Sequence, residues 1–268
     1  MAGASGRLGT ELVSLLGDGC IGMDLPVLDI TSPVSIEKAV AEHDPAAIVN
    51  CAAITDVDLC QRNPELAIKV HVDGVANLAS TGRRLITIST DHVFGGERGG
   101  TRTVPYDEDD RPSPVNVYGE SKLAGESEAL GARSDNIVIR TSWLFSGREG
   151  LCPFIWNSLA SRGRVKAVKD QVACFTYAPD LAGAILRLLN TGYGGIFHLV
   201  NTPGLSPAVL ARRFAGVLGG MVEEVHWSDL GLDAPRPAYS ELRTSRRLTL
   251  PGVEDALERW RKDVTRNA

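Results

Sequence analysis

The chain of 268 residues has no apolar run approaching the ~20 residues that a membrane-spanning helix needs. Its amino terminus lacks the basic-then-apolar order of a secretory signal. No Cys-x-x-Cys occurs. The five cysteines, Cys20, Cys51, Cys60, Cys152 and Cys174, are scattered and odd in number, which speaks against both a disulfide framework and a zinc site, so no metal is expected. There is no basic block, and the formal net charge of −5 argues against a nucleic-acid surface built on general electrostatics. Internal repeats and low-complexity segments are also missing. What is present is a chain 43% hydrophobic, long enough for one large domain or for a domain with a smaller appended lobe. A reducing cytoplasm is the expected compartment.

Apolar runs alternate with helical patterns. Helices are expected over 10–17, from the Thr31-Ser32-Pro33 cap to about 42, from Asn63-Pro64 to about 80, and over 115–131. Strands are expected over 20–24, 46–53, 84–90 and 136–142. This alternation implies an α/β fold, a doubly wound parallel sheet of the Rossmann type with helices on both faces. Such sheets bind ligands beyond the carboxyl ends of their strands, where Asp24, Ala52-Ala53, Thr90-Asp91 and Ser142-Trp143 fall. After about residue 144 the pattern loosens. Strands near 165–168, 196–200 and 223–227 interleave with helices near 178–190, 206–218 and 252–262. The expected division is a dinucleotide-binding domain over 1–144, with parts of 165–200 woven back in, and a smaller α/β substrate lobe over 145–268.

The chain opens MAGASGRLGTELV, with Gly3-x-x-Gly6-x-x-Gly9 running into an apolar helix. Gly3 permits a tight turn, Gly6 lets backbone approach phosphate, and Gly9 lets helix pack on sheet. The helix amino terminus then faces the anion. A lone glycine triplet also occurs in ordinary turns. Asp24 strengthens the reading: it lies 21 residues after Gly3 at the end of an expected strand, where an acid hydrogen-bonds the adenosine ribose. A simple turn acid is the alternative. Asp29 could reach the adenine. No strand precedes the glycine turn, although such a turn should follow one.

In YGESK, Tyr118 and Lys122 are four apart and share one helix face. An ammonium beside a phenol favours phenolate and lowers its pKa from ~10. Alone, this pair is more often an exposed helix couple. It does not stand alone, because Thr90 ends a strand upstream and the glycine turn offers a nucleotide site. Together they point to nucleotide-dependent hydride transfer.

The chain resembles the extended short-chain dehydrogenase/reductase superfamily and, more narrowly, the dTDP-4-dehydrorhamnose reductase family. GASGRLG (3–9), LDITSP (28–33), IVNCAAITDVDLCQRNPELA (48–67), STDHVFGG (89–96), PSPVNVYGESKLAGE (112–126) and IRTSWLF (139–145) carry the resemblance, with echoes at 170–171, Thr176 and 236–242. It implies NADPH- or NADH-dependent reduction of a nucleotide-linked 4-keto-6-deoxyhexose. In that reading Tyr118 gives its proton to the C4 oxygen, Thr90 hydrogen-bonds the same oxygen, and Lys122 holds the nicotinamide ribose. Gly3, Ser5, Gly6, Arg7, Leu8, Asp24, Asp29, Ile30, Ala52, Ala53 and Thr55 line the cofactor. Thr90, Asp91, His92, Asn116, Tyr118, Trp143 and Arg236 face the substrate, although Trp143 reads equally as packing and Arg236 as a surface residue. His92 stands where the family often has tyrosine, and His71 where it usually has asparagine. Residues 172–175 replace a stretch that usually holds glycine and proline. These departures bear on substrate identity more than on reaction type.

A dehydratase would carry Thr-Asp-Glu where this chain has Thr90-Asp91-His92. An epimerase stays open, as does a non-catalytic regulatory subunit like that of methionine adenosyltransferase, and homodimer formation is left open. The family's first strand is central in a sheet of order 3-2-1-4-5-6, so its loss would leave buried backbone groups unpaired at ~1–3 kcal/mol each. The expectation is that Met1 marks a mis-assigned or truncated start, with a genuinely shortened chain as the alternative.

Overall fold

The computed structural model describes residues 1–96, 102–147 and 149–266. Its main sheet is parallel and runs β1 (Ala47–Asn50), β2 (Arg84–Thr90), β3 (Ile137–Thr141) and, later in the chain, β7 (Gly195–His198), in that spatial order. The period of two in these strands sorts their side chains onto two faces. Val49, Ile86, Ile139 and Phe197 meet α1 (Arg7–Leu16) and α8 (Ala178–Leu189) through Leu8, Leu12, Leu181 and Ile185. Ile48, Leu85 and Val138 meet α2 (Pro33–His43), α5 (Gly74–Ala79) and α6 (Val117–Ala132) through Ile36, Leu78 and Ala129. Both faces are covered, as near-continuous apolar strands require, and the fold is Rossmann-like α/β.

The amino terminus departs from expectation. Residues 20–24 form no strand: Met23 makes a single bridge to Ala2. The physical reason is the shortness of the partner. Ala2 alone lies between Met23 and β1, where its N–H donates to Val49 O (3.0 Å) and its carbonyl accepts from Cys51 N–H (2.9 Å). One residue of pairing cannot propagate a ladder through 20–24. Beside Ala2 is a cavity of about 460 Å³, with Ile21, Ile36, Ile48, Leu78 and Leu189 in its walls.

The expected helix from Asn63 to about 80 is also interrupted. A short α3 (Val57–Arg62) precedes α4 (Pro64–Ile68), whose cap is Asn63 accepting from Leu66 N–H (3.1 Å). A π turn, Lys69–Asp73, then links α4 to α5. Two-residue strands β4 (Leu144–Phe145) and β6 (Thr176–Tyr177) pair with each other beyond β3. A second apolar core gathers Phe145, Tyr177, Phe214 and Trp260 from β4, β6, α9 (Pro207–Leu218) and α10 (Val253–Arg266). It also takes in α7 (Leu151–Arg162) and β5 (Arg164–Val168), which pairs with β8 (Met221–Val225). Among the described residues no helix is long and apolar enough to cross a membrane.

Candidate active site

A cavity of about 560 Å³ opens at the carboxyl ends of β1, β2 and β3. One wall is the glycine turn. Gly3 has φ +80°, and a Cβ there would fall 2.6 Å from Ala52 N, while a Cβ on Gly9 would fall 2.1 Å from Gly3 O. Neither position admits a side chain. Gly6, Arg7 and Leu8 line the cavity. The first turn of α1 has no side-chain cap and no acidic residue, so its N–H groups are free for an anion. Asp24 Oδ2 accepts from Ser5 N–H at 2.6 Å, which holds a carboxylate against the same turn. A free helix end with an acid beside it is the donor and acceptor set that a dinucleotide's pyrophosphate and ribose require.

Among the other expected cofactor residues, Ala53 and Thr55 line the cavity. Ala52 N–H is turned away, donating to Asn50 Oδ1 (3.1 Å). Asp29 accepts from both the N–H and the hydroxyl of Thr31 (2.8 Å each), an arrangement that lowers its pKa and occupies one oxygen locally. Ile30 is buried in the core with α2 and α5.

Asn116 caps α6 by accepting from Gly119 N–H (2.8 Å), and the helix sets Tyr118 and Lys122 one turn apart on the cavity side. The electrostatics correct the expectation that Lys122 lowers the pKa of Tyr118. Burial raises it, and a hydrogen bond with Thr90 only partly offsets that. The ammonium is directed elsewhere, donating to Ile88 O at 2.6 Å. Burial in turn pushes the Lys122 pKa down to about 8. The phenol is therefore held protonated, the state a proton donor needs. Thr90 Oγ1 accepts from His92 N–H (3.1 Å) and donates to Asp91 (3.2 Å), which also accepts from Ser240.

With its oxygen committed to Gly119, the Asn116 amide must present N–H groups to its other partners. It donates to Pro235 O (2.9 Å) and to His92 Nδ1 (3.1 Å). Burial lowers the His92 pKa, so the ring is neutral and its one proton sits on Nε2. His92 and His71 flank the Tyr118 ring edge-on at centroid distances of 5.5 and 5.6 Å. Trp143 lines the cavity with φ +26°, a conformation costing a non-glycine residue about 1–3 kcal/mol, and rests on Phe175. Arg236 also lines the cavity, but its guanidinium is held bidentately by Asp58 (2.8 and 3.2 Å). Arg62 pairs with Asp233 beside it.

Sequence reasoning missed Asp58, and it missed the buried pair Glu126–Arg140 (2.7 Å), which Ser89 joins by donating to Glu126. Glu126 is four residues beyond Lys122, so the spacing that singled out Tyr118 and Lys122 extends to it. Arg140 is covered by an apolar strand pattern and gave no signal. Among the described residues, Ser142 and Gln171 on the cavity wall carry buried polar atoms without a hydrogen-bond partner.

A dTDP-4-dehydrorhamnose reductase of Mycobacterium tuberculosis is 35% identical over 274 residues, covering 97% of this chain and 89% of the relative. A dTDP-4-keto-6-deoxy-D-glucose reductase of Streptomyces niveus is 35% identical over 260 residues, covering 90% and 87%. The crystal structure of dTDP-4-dehydrorhamnose reductase from Bacillus anthracis in complex with NADP superposes with a TM-score of 0.90 at 31% identity, covering 98% of this chain and 97% of that one. The model of the RmlD substrate binding domain matches residues 1–268, and the chain belongs to that family.

Proposed function

We propose that the protein reduces the C4 ketone of a dTDP-4-keto-6-deoxyhexose, using NADPH or NADH. The observation that carries this reading is the convergence of a protonated Tyr118, Thr90 and Lys122 on one cavity whose wall is an uncapped helix end. When bound, the nicotinamide supplies the hydride to C4. The chain's own residues do the rest. The α1 amino terminus and the glycine turn hold the pyrophosphate, and Asp24 accepts from the ribose. Lys122 spends one of its three N–H donors on Ile88 O and keeps the others for a ribose hydroxyl. Thr90 fixes the ketone oxygen once its one hydroxyl proton turns from Asp91 to the substrate. Tyr118 gives it a proton as charge builds there, because an alkoxide is a stronger base than a phenolate even when burial has raised the phenol. Asp91, His92 and Trp143 border the sugar, while Asn116, expected there too, is outside the cavity lining and holds His92 and Pro235 in place. The reading places the reaction in the cytoplasm and leaves a homodimer open.

The test is oxidation of each reduced nicotinamide by the purified chain with a dTDP-4-keto-6-deoxyhexose. Turnover is expected, and Tyr118→Phe is expected to lower kcat by about 10²- to 10⁴-fold. Cofactor binding without turnover on any such sugar, or full turnover in Tyr118→Phe, would overturn the proposal.

A further inference from the structure

His71 is singled out by the sequence and used by nothing above. It lies on the π turn Lys69–Asp73 and is 1% exposed. Such turns, rare within helices, often mark functional positions. Both ring nitrogens have partners, and those partners dictate the tautomer. Ile54 N–H can only donate, so Nε2, at 3.0 Å, is the acceptor. The ring proton is therefore on Nδ1, which donates to Ser121 Oγ at 2.8 Å. Ser121 donates its own hydroxyl hydrogen bond to the Tyr118 carbonyl at 3.0 Å. Protonating Nε2 would set N–H against N–H. Consistently, burial and the nearby Lys122 charge push the His71 pKa down to about 3.

The two partners belong to different parts of the site. Ile54 sits between Ala53 and Thr55, the loop that lines the cofactor side of the cavity. Ser121 is on α6, three residues from Tyr118. We infer that His71 is a positioning residue whose imidazole ties the Ala53–Thr55 loop to the Tyr118 helix, fixing the distance between the bound nicotinamide cofactor and the proton donor. The inference rests on the proposed reduction for its kinetic arm only. The Nε2 arm sets how well the loop receives the cofactor, and the Nδ1 arm sets where the phenol stands.

The experiment separates the arms, with cofactor Kd read by nicotinamide fluorescence, kcat on the keto-sugar, and Tm as the check on folding. His71→Phe keeps the ring against Tyr118 and deletes both hydrogen bonds. It is expected to weaken cofactor binding by about 5- to 50-fold and to lower kcat by a similar factor, since each arm leaves a buried polar group unpaired. His71→Gln reaches Ile54 with an amide oxygen and is expected to restore Kd to within about threefold while kcat stays low. Ser121→Ala is expected to lower kcat at unchanged Kd. A His71→Phe protein within twofold of wild type on both readouts overturns the inference. So does any result in which His71→Gln and Ser121→Ala move Kd and kcat in step with Tm, the signature of a purely structural role. If His71→Phe does not fold, the two single-arm variants decide alone. If wild type binds cofactor but does not turn over the sugar, the proposed reduction fails while the Kd comparison of His71→Phe with His71→Gln still decides the loop arm.

Discussion

Lys122 carries its charge into a setting where little water reaches it, at 6% exposure, and its pKa falls from 10.5 to about 8. Below that value the ammonium is intact; as pH rises through it the charge is lost, which weakens the hydrogen bond to Ile88 O and the proposed contact with a cofactor ribose. We expect kcat to fall above pH about 8 in wild type, and this alkaline limb to vanish in Lys122→Arg, whose guanidinium stays charged. A wild-type profile flat through that region would contradict the assignment. The folded protein also binds fewer protons than the unfolded chain between about 8 and 10.5, so the contribution of Lys122 to stability improves as pH rises across that window. At this scale the sequence showed which side chains meet, because helical spacing fixes a shared face. It did not show the phenol's proton affinity, because that depends on burial and on where the ammonium points, and neither is a property of spacing. Asp58 was illegible for a related reason: its partner Arg236 lies 178 residues along the chain, and an acid in the first turn of a short helix has an ordinary reading beside the helix dipole.

Among the elements, the segment between β2 and α6 is joined to β7 and to residues 244–245 through the carboxylate of Glu108. Burial alone would raise the Glu108 pKa. Instead, Glu108 accepts from Ser245 N–H (2.8 Å), Thr244 (2.6 Å), His198 N–H (2.9 Å) and the Ser245 hydroxyl (2.8 Å), and its pKa drops to about 2. A carboxylate so depressed stabilises the fold fully above its unfolded pKa of about 4.5 and loses that contribution as pH falls toward about 2. Glu108→Gln is expected to cost about 2–3 kcal/mol at neutral pH, with the difference from wild type shrinking as pH falls below 4.5, measured by denaturant unfolding at both pH values. A constant difference would place the cost in packing instead. Most elements were legible: α2, α6, α8 and α9 begin and end within a few residues of expectation because caps and apolar period agree. The 20–24 strand failed because pairing is a property of two segments. The break at Lys69–Asp73 failed because a π turn keeps helical composition while changing the hydrogen-bond pattern.

For the molecule as a whole, the Rossmann-like sheet and its ligand-binding edge followed from strand–helix alternation. The way the later strands divide did not, because β7 joins the main sheet while β5 and β8 pair apart from it.

The segment over residues 233–237, which borders the cavity through Arg236 and Pro237, is fastened to α3 crosswise. The helix offers an acid, Asp58, to Arg236 and a base, Arg62, to Asp233. A plug with two unlike pins enters its socket only one way round. If the segment slid until its pins changed places, Arg62 would face Arg236 and Asp58 would face Asp233. The same stretch of backbone is thereby always delivered to the mouth of the site, with Pro235 O on Asn116 and Ala234 N–H on Asp58. One exposed ion pair of little individual strength, Arg62–Asp233, and one half-buried pair, Arg236–Asp58, act here as a key rather than as glue.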